Sequence, residues 1–168
     1  LGYFNTAMGA YASYSNTTGN FNVAIGDSAL YQNTVSENTA VGTRALKNNT
    51  TGTMNTAIGA FALHSSSTGD MNTAIGYHTI KQNTAGYGNT AVGASSLEKN
   101  DVGYANTSLG AYALTQNSSG AENTAVGASS LQNNTVGNNN TATGERSNLY
   151  NLNGSNNTSV GSTSLFHN

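Results

Sequence analysis

The side chains best suited to acid–base or metal chemistry are dispersed along this sequence. Glu37 and Asp70 come closest to a pair, because they take equivalent places in a repeat described below, about 9.6 Å apart if repeats stack as coils. That separation would suit a hydrolytic pair. Charged side chains are usually exposed, so we interpret both as surface charges. His64, His78 and His167 fall at three different repeat positions and lack metal-ligand spacing. The sequence therefore predicts a non-enzymatic protein with no catalytic residue, metal site or cofactor.

Aromatic side chains recur at the repeat spacing and are the best candidates for ligand contact. The predicted ligand-contacting residues are Tyr14, Tyr31, Tyr87 and Tyr104. Within each pair the two residues are 17 apart, as are Phe4 and Phe21. Exposed aromatic pairs can lie against sugar rings or anchor a protein partner, which makes surface glycans a predicted partner. The competing interpretation is that the rings only pack on turns.

A column of threonines, from Thr6 to Thr158, raises a different function. A regular flat Thr array could order water, as an ice-binding solenoid would. The competing interpretation is that β-branched Thr simply suits a strand.

Composition excludes several function classes. The 168 residues include five Lys+Arg and seven Asp+Glu, while Asn, Thr, Ser and Gly make up more than half of the chain. The balance is not basic, so we predict no nucleic-acid partner. Cysteine is absent, which excludes a disulfide framework. No apolar run approaches the length of a membrane span, so we predict no membrane insertion.

The elements that position these residues come from a repeat that fills the chain. The pattern Asn-Thr-Ala-φ-Gly, with φ apolar, or a variant that differs at one position, occurs ten times at a period of 17, broken by a single interval of 16. The copies start at Asn5, Asn22, Asn38, Asn55, Asn72, Asn89, Asn106, Asn123, Asn140 and Asn157. Counting from this Asn, position 5 is always Gly, position 9 is usually Leu, and positions 12 and 15 are usually Asn and Gly. In the fourth copy Asn55, Gly59, Leu63 and Gly69 represent structural repeat positions.

A 17-residue period is typical of one coil of a parallel β-solenoid and too short for helix-pair repeats. We predict an all-β fold of about ten coils in a single domain, residues 1–168. Strands are expected at positions 2–4 and 7–10, with turns at the glycines and at Asn-x-x-Gly. Coils in register would stack identical side chains every ~4.8 Å and align the Asn columns into amide ladders.

The large apolar residues at positions 4 and 9 and the small ones at positions 3 and 8 leave the core assignment open. Positions 3 and 4 must point to opposite faces of their strand. Either the small face or the large face could line the roll, with the other face covered by further copies of the chain. Near the C-terminal end Thr143 and Asn148 replace apolar residues. We expect a bulge there that turns Leu149 inward.

Copies such as Asn55–Gly59 and Asn72–Gly76 resemble the Asn-Ser-x-Ala-Ile-Gly repeat of trimeric autotransporter adhesin heads, and similar repeats occur in phage tail fibres. The resemblance covers the whole chain. It implies a left-handed β-roll, a homotrimer, and an adhesive or structural fibre that is extracellular, on a cell surface or a virion. The period is longer than the usual head repeat. The chain has no neck motif, heptad stalk or anchor barrel.

The two ends of the sequence are in matching phase. Leu1 is at position 14 and Asn168 at position 12, so only position 13 separates the end of one copy from the start of another. Uncapped solenoid ends expose unpaired strand edges. We therefore expect either a segment of a longer fibre or head-to-tail stacking of identical rods.

Overall fold

Every Asn-Thr-Ala-φ-Gly copy forms a three-residue strand at positions 2–4. The structure is a computed structural model that describes residues 2–167. It has about nine turns of a parallel β-solenoid, and the described residues contain no helix. The strands are β1 Thr6–Met8, β2 Val23–Ile25, β3 Thr39–Val41, β4 Thr56–Ile58, β5 Ser65–Ser66, β6 Thr73–Ile75, β7 Gln82–Asn83, β8 Thr90–Val92, β9 Thr107–Leu109, β10 Thr124–Val126, β11 Thr141–Thr143 and β12 Thr158–Val160.

The ten three-residue strands form one parallel sheet in which equivalent residues of successive copies pair. Ala57 pairs with Ala74, and Ile58 with Ile75. The single shorter interval of the repeat does not disturb this register, because Val23 still pairs with Thr39. The predicted all-β solenoid with in-register stacking is confirmed.

The second predicted strand, at positions 7–10, is wrong. That segment is a series of turns in which positions 7 and 9 have positive φ, as at Phe61 (60°) and Leu63 (48°). Coil-to-coil hydrogen bonding persists, since the Leu63 N–H donates to the Thr79 carbonyl at 3.1 Å. Positive φ at every second residue bends the chain, and its N–H groups still reach the next coil. Only Ser65–Ser66 and Gln82–Asn83, at positions 11–12, form a second paired segment within the described residues.

Two buried asparagine ladders run along the rod, as the sequence predicts. At position 1, the Asn72 N–H donates to Asn55 Oδ1 at 2.9 Å, and Asn72 Nδ2 donates to the Gly86 carbonyl at 2.9 Å. At position 12, Asn83 Nδ2 donates to that same Gly86 carbonyl at 2.8 Å. The two columns therefore meet at the glycine of position 15. Pairing these buried amides avoids the cost of leaving them unsatisfied.

The interior combines the small residues of positions 3 and 8 with the large residue of position 9. Seven aliphatic side chains at position 9 are fully buried: Leu30, Leu46, Leu63, Ile80, Leu97, Leu114 and Leu131. The aliphatic residues of position 4 point outward, so the large residues do not form one face. A Cβ on Gly59 or Gly69 would overlap the carbonyl oxygen of the next coil's glycine, which is why these positions require glycine.

The bulge expected near the C-terminal end is absent. Asn148 is fully buried with φ 51°, as Leu131 is with φ 48° one coil earlier. Its N–H donates to the Ser164 carbonyl at 2.7 Å, in the same pattern as the other coils. Pairing between coils holds the backbone in register, so Asn148 takes the inward place. Leu149 is nevertheless buried, at position 10.

Candidate functional site

The outer face of the ten-stranded sheet repeats one pattern of side chains along the rod. Thr at position 2 and an aliphatic residue at position 4 point outward on either side of the buried position 3. In the middle of the rod the aliphatic side chains are substantially exposed, for example Ile58 at 39% and Val92 at 37%. None of the ten strands carries a charged residue. The face therefore presents one hydroxyl column beside one aliphatic column.

The predicted aromatic pairs are stacked between coils. Tyr14 and Tyr31 have ring centroids 5.1 Å apart with 5° between their planes, and Tyr87 and Tyr104 are 5.1 Å apart at 3°. Stacking covers one face of each ring, and Lys47 Nζ lies 5.7 Å from the Tyr31 ring centroid. Each ring of these pairs therefore has at most one face left for a stacked sugar. Their contact with a ligand stays a prediction.

Sequence reasoning missed a cluster of basic and aromatic side chains at positions 7 and 10 of three successive coils. We call it the basic–aromatic patch, and it consists of Arg44, Lys47, Phe61, His64, His78 and Lys81. Phe61 is central: the Arg44 guanidinium carbon lies 5.7 Å from its ring centroid, and the His64 and His78 rings lie 5.6 Å and 5.3 Å away. Sorting the charged residues by repeat position would have revealed it, because Lys47, His64 and Lys81 share position 10.

Burial and neighbouring positive charges both disfavour protonation of the two histidines in the patch. Burial, followed by the charges of Lys47, Arg44, Lys81 and His78, lowers the pKa of His64 below its usual 6.5. Burial and Lys81 lower the pKa of His78, while Glu98, 3.8 Å away, acts in the opposite direction. Both imidazoles are therefore mostly neutral at neutral pH.

A groove of about 560 Å³ runs along positions 11 and 13 of the middle coils. Its polar groups pair with one another: Lys99 Nζ donates to Gln116 Oε1 at 2.9 Å, and the Thr84 hydroxyl donates to the Asp101 carboxylate. The groove therefore leaves few unpaired polar groups for a ligand.

The carboxylates considered for hydrolysis are not assembled into a site. Asp70 Oδ1 accepts hydrogen bonds from the Thr53 N–H at 2.7 Å and hydroxyl at 3.1 Å, which gives it a structural role. Glu37 is exposed. Within residues 2–167, no three His, Asp or Glu side chains group as metal ligands would. The same residues include no helix of the length and apolarity that a membrane crossing requires.

Comparison with protein-family models, with curated proteins and with solved structures finds no match for this chain.

Proposed function

We propose that the chain is a structural and adhesive segment of an extracellular fibre, on a cell surface or a virion, that works without catalysis. The observation that carries the proposal is the uncharged Thr and aliphatic face repeated in register along ten strands. Nine inter-strand steps of about 4.8 Å make this face about 43 Å long. Continuous exposed apolar surface on that scale marks a contact with another macromolecule.

The occupant of this face is a further copy of the same chain, in a homotrimer. Only one column on the face is strongly apolar, and single columns from three rods can converge on a common axis. Each Ile75 or Val92 would then contact its two counterparts, and the Thr columns would flank the axis. Closed symmetry of this kind is the usual arrangement of homo-oligomers. Rods stacked end to end would extend such a trimer into a filament.

Two matched variants in one coil test the assembly. Val92→Asp places a charge on the outer sheet face, whereas Val102→Asp makes the same change at a residue that is 47% exposed elsewhere on the coil. Sedimentation equilibrium should give three times 17.1 kDa for the parent chain and for Val102→Asp, and a monomer for Val92→Asp. The reason is that an unpaired charge buried in an interface costs several kcal/mol.

Circular dichroism on the same samples must show that both variants keep their strand content. A parent chain that stays monomeric at high concentration would contradict the proposal. Equal effects of the two substitutions on mass would also contradict it.

The orientation of the Thr column favours a second candidate, ice binding. Thr56 and Thr73 lie on the outer face and are partly exposed, so the hydroxyl array is open to solvent. Freezing-point measurements should then show thermal hysteresis. Thr73→Lys should abolish it, whereas Thr68→Lys, on another exposed column, should not. Freezing without hysteresis would eliminate this candidate.

A further inference from the structure

We propose that the basic–aromatic patch binds an acidic polysaccharide, with Arg44, Lys47 and Lys81 holding its anionic groups and Phe61 contacting a sugar ring. The inference goes beyond the assembly proposed above. The patch occupies positions 7 and 10, and the assembly face occupies positions 2 and 4.

The concentration of positive charge is the first observation. Three of the five Lys and Arg residues and two of the three His residues lie in this one patch. Position 10 is basic in three successive coils, at Lys47, His64 and Lys81. Lys47 and Lys81 lie on either side of His64 in this column, so the patch gathers positive charge that a bound anion would neutralise.

The cations of the patch are free to pair with a ligand. Among residues 2–167, no carboxylate lies within ion-pair distance of Arg44, Lys47 or Lys81; the one acidic contact in the patch is Glu98 with His78. Arg44 is exposed, and Lys47 and Lys81 are partly exposed. Each retains donors for a charge-assisted hydrogen bond to a carboxylate or sulfate.

The aromatic residue and the spacing favour a polysaccharide over a nucleic acid. Phe61 is only partly buried and lies among the cations, where the part of its ring left open by Arg44 and His78 could contact the apolar face of a sugar. Lys47 and Lys81 are two coils apart, about 9.6 Å, which suits a polymer with sparse charges. Duplex DNA carries a charge every ~1.7 Å, and its binders typically neutralise some 6 to 10 phosphates. Three permanent cations on an acidic protein fall short of that number.

The test compares polymers that differ in charge. Dextran sulfate and polygalacturonate are the anionic probes, unmodified dextran is the neutral control, and a DNA duplex represents the other polyanion. Isothermal titration calorimetry at low ionic strength should show binding of at least one acidic polysaccharide and none of dextran. The affinity should fall as salt is added.

Charge-matched variants locate the site. Lys47→Gln with Lys81→Gln should weaken binding roughly a hundredfold, at about tenfold for each charge-assisted hydrogen bond removed. Lys99→Gln with Arg146→Gln removes the same charge outside the patch and should leave affinity within about twofold, since Arg146 lies four coils from Lys81 and Lys99 Nζ is bonded to Gln116 Oε1 in the coil beyond. Phe61→Leu should weaken binding of polysaccharide with the charges intact.

Acidification provides an independent readout. Binding should tighten as pH falls below about 6.5, where His64 and His78 gain protons beside Lys47, Arg44, Lys81 and Glu98. This increase should be absent in His64→Gln with His78→Gln.

Three results would overturn the inference: no binding to either acidic polysaccharide, equal losses in the patch and control variants, or tighter binding of DNA through the same residues. Mass measured on the same samples reports assembly separately, so failure of one proposal is distinguishable from failure of the other.

Discussion

Replacing Asn148 with leucine is expected to stabilise the C-terminal end of the rod by about 3 kcal/mol. Asn148 is fully buried at position 9, and neither its Nδ2 nor its Oδ1 has a hydrogen-bond partner. In seven other coils the same position holds a fully buried Leu or Ile. The backbone already has the conformation that leucine adopts there, since φ is 51° at Asn148 and 48° at Leu131.

Three contributions set the magnitude. Removing an unsatisfied buried amide recovers about 1–3 kcal/mol. Burying a leucine side chain contributes about 1.5–3 kcal/mol. Leucine tolerates left-handed φ less well than asparagine, which subtracts about 1 kcal/mol. The sum is roughly 1.5–5 kcal/mol in favour of the variant.

Urea unfolding and hydrogen exchange measure the gain. The ends of a solenoid unfold locally, so the clearest signal is slower exchange of the Asn148 and Tyr150 amides, which donate to Ser164 and Phe166. Asn134→Leu is the matched control, because Asn134 Nδ2 donates to Asn117 Oδ1 at 2.8 Å and to the Gly137 carbonyl at 3.0 Å. The same substitution there should destabilise by about 2–4 kcal/mol. Stabilisation at Asn134, or destabilisation at Asn148, would refute the reasoning.

Three further predictions concern backbone, core and pH. Gly59 has φ +130°, and a Cβ there would overlap the Gly76 carbonyl. Gly59→Ala should therefore lower the free energy of unfolding by about 2 kcal/mol or more. Gly88 has φ +64°, and a Cβ added there would lie 4.0 Å from the nearest neighbouring atom. Gly88→Ala should accordingly cost only about 1 kcal/mol in the same urea titration. Circular dichroism should show that Leu63→Asp unfolds the chain, because it buries a charge in the core. Ile58→Asp should keep the fold and lose assembly, and Phe61→Asp should keep the fold. Equal outcomes at the three sites would show the burial pattern to be wrong. The pKa of His64 is lowered from 6.5 in the folded state. Its contribution to stability is therefore present above about pH 6.5 and is lost as pH falls towards the lowered value, so His64→Gln should flatten the pH dependence of urea unfolding in that window.

The period and the turn chemistry could be predicted from the sequence because each follows from local residue types. Asn at positions 1 and 12 and Gly at positions 5 and 15 recur with little variation, and their amide ladders and close coil contacts are present as expected. The conformation of positions 7–10 could not be predicted in this way. Leu63 and Phe61 have side chains that favour strands or helices, yet both adopt positive φ. Their conformation is imposed by hydrogen bonds to Thr79 and Thr43 in adjacent coils, and no local preference encodes those bonds.

The direction of the apolar columns and the basic–aromatic patch escaped prediction for a related reason. Alternation fixes positions 3 and 4 on opposite faces of a strand, but it does not relate that strand to a turn a few positions later. Left-handed residues at positions 7 and 9 turn Leu63 towards the interior that Ala57 lines, and Ile58 is left outside. The same turns bring position 7 of one coil beside position 10, so Phe61 meets His64 within a coil and Arg44 across coils. Side chains that are scattered in the sequence thus form one surface. The turn conformation that buries the position-9 leucines also brings the residues of the proposed binding site together.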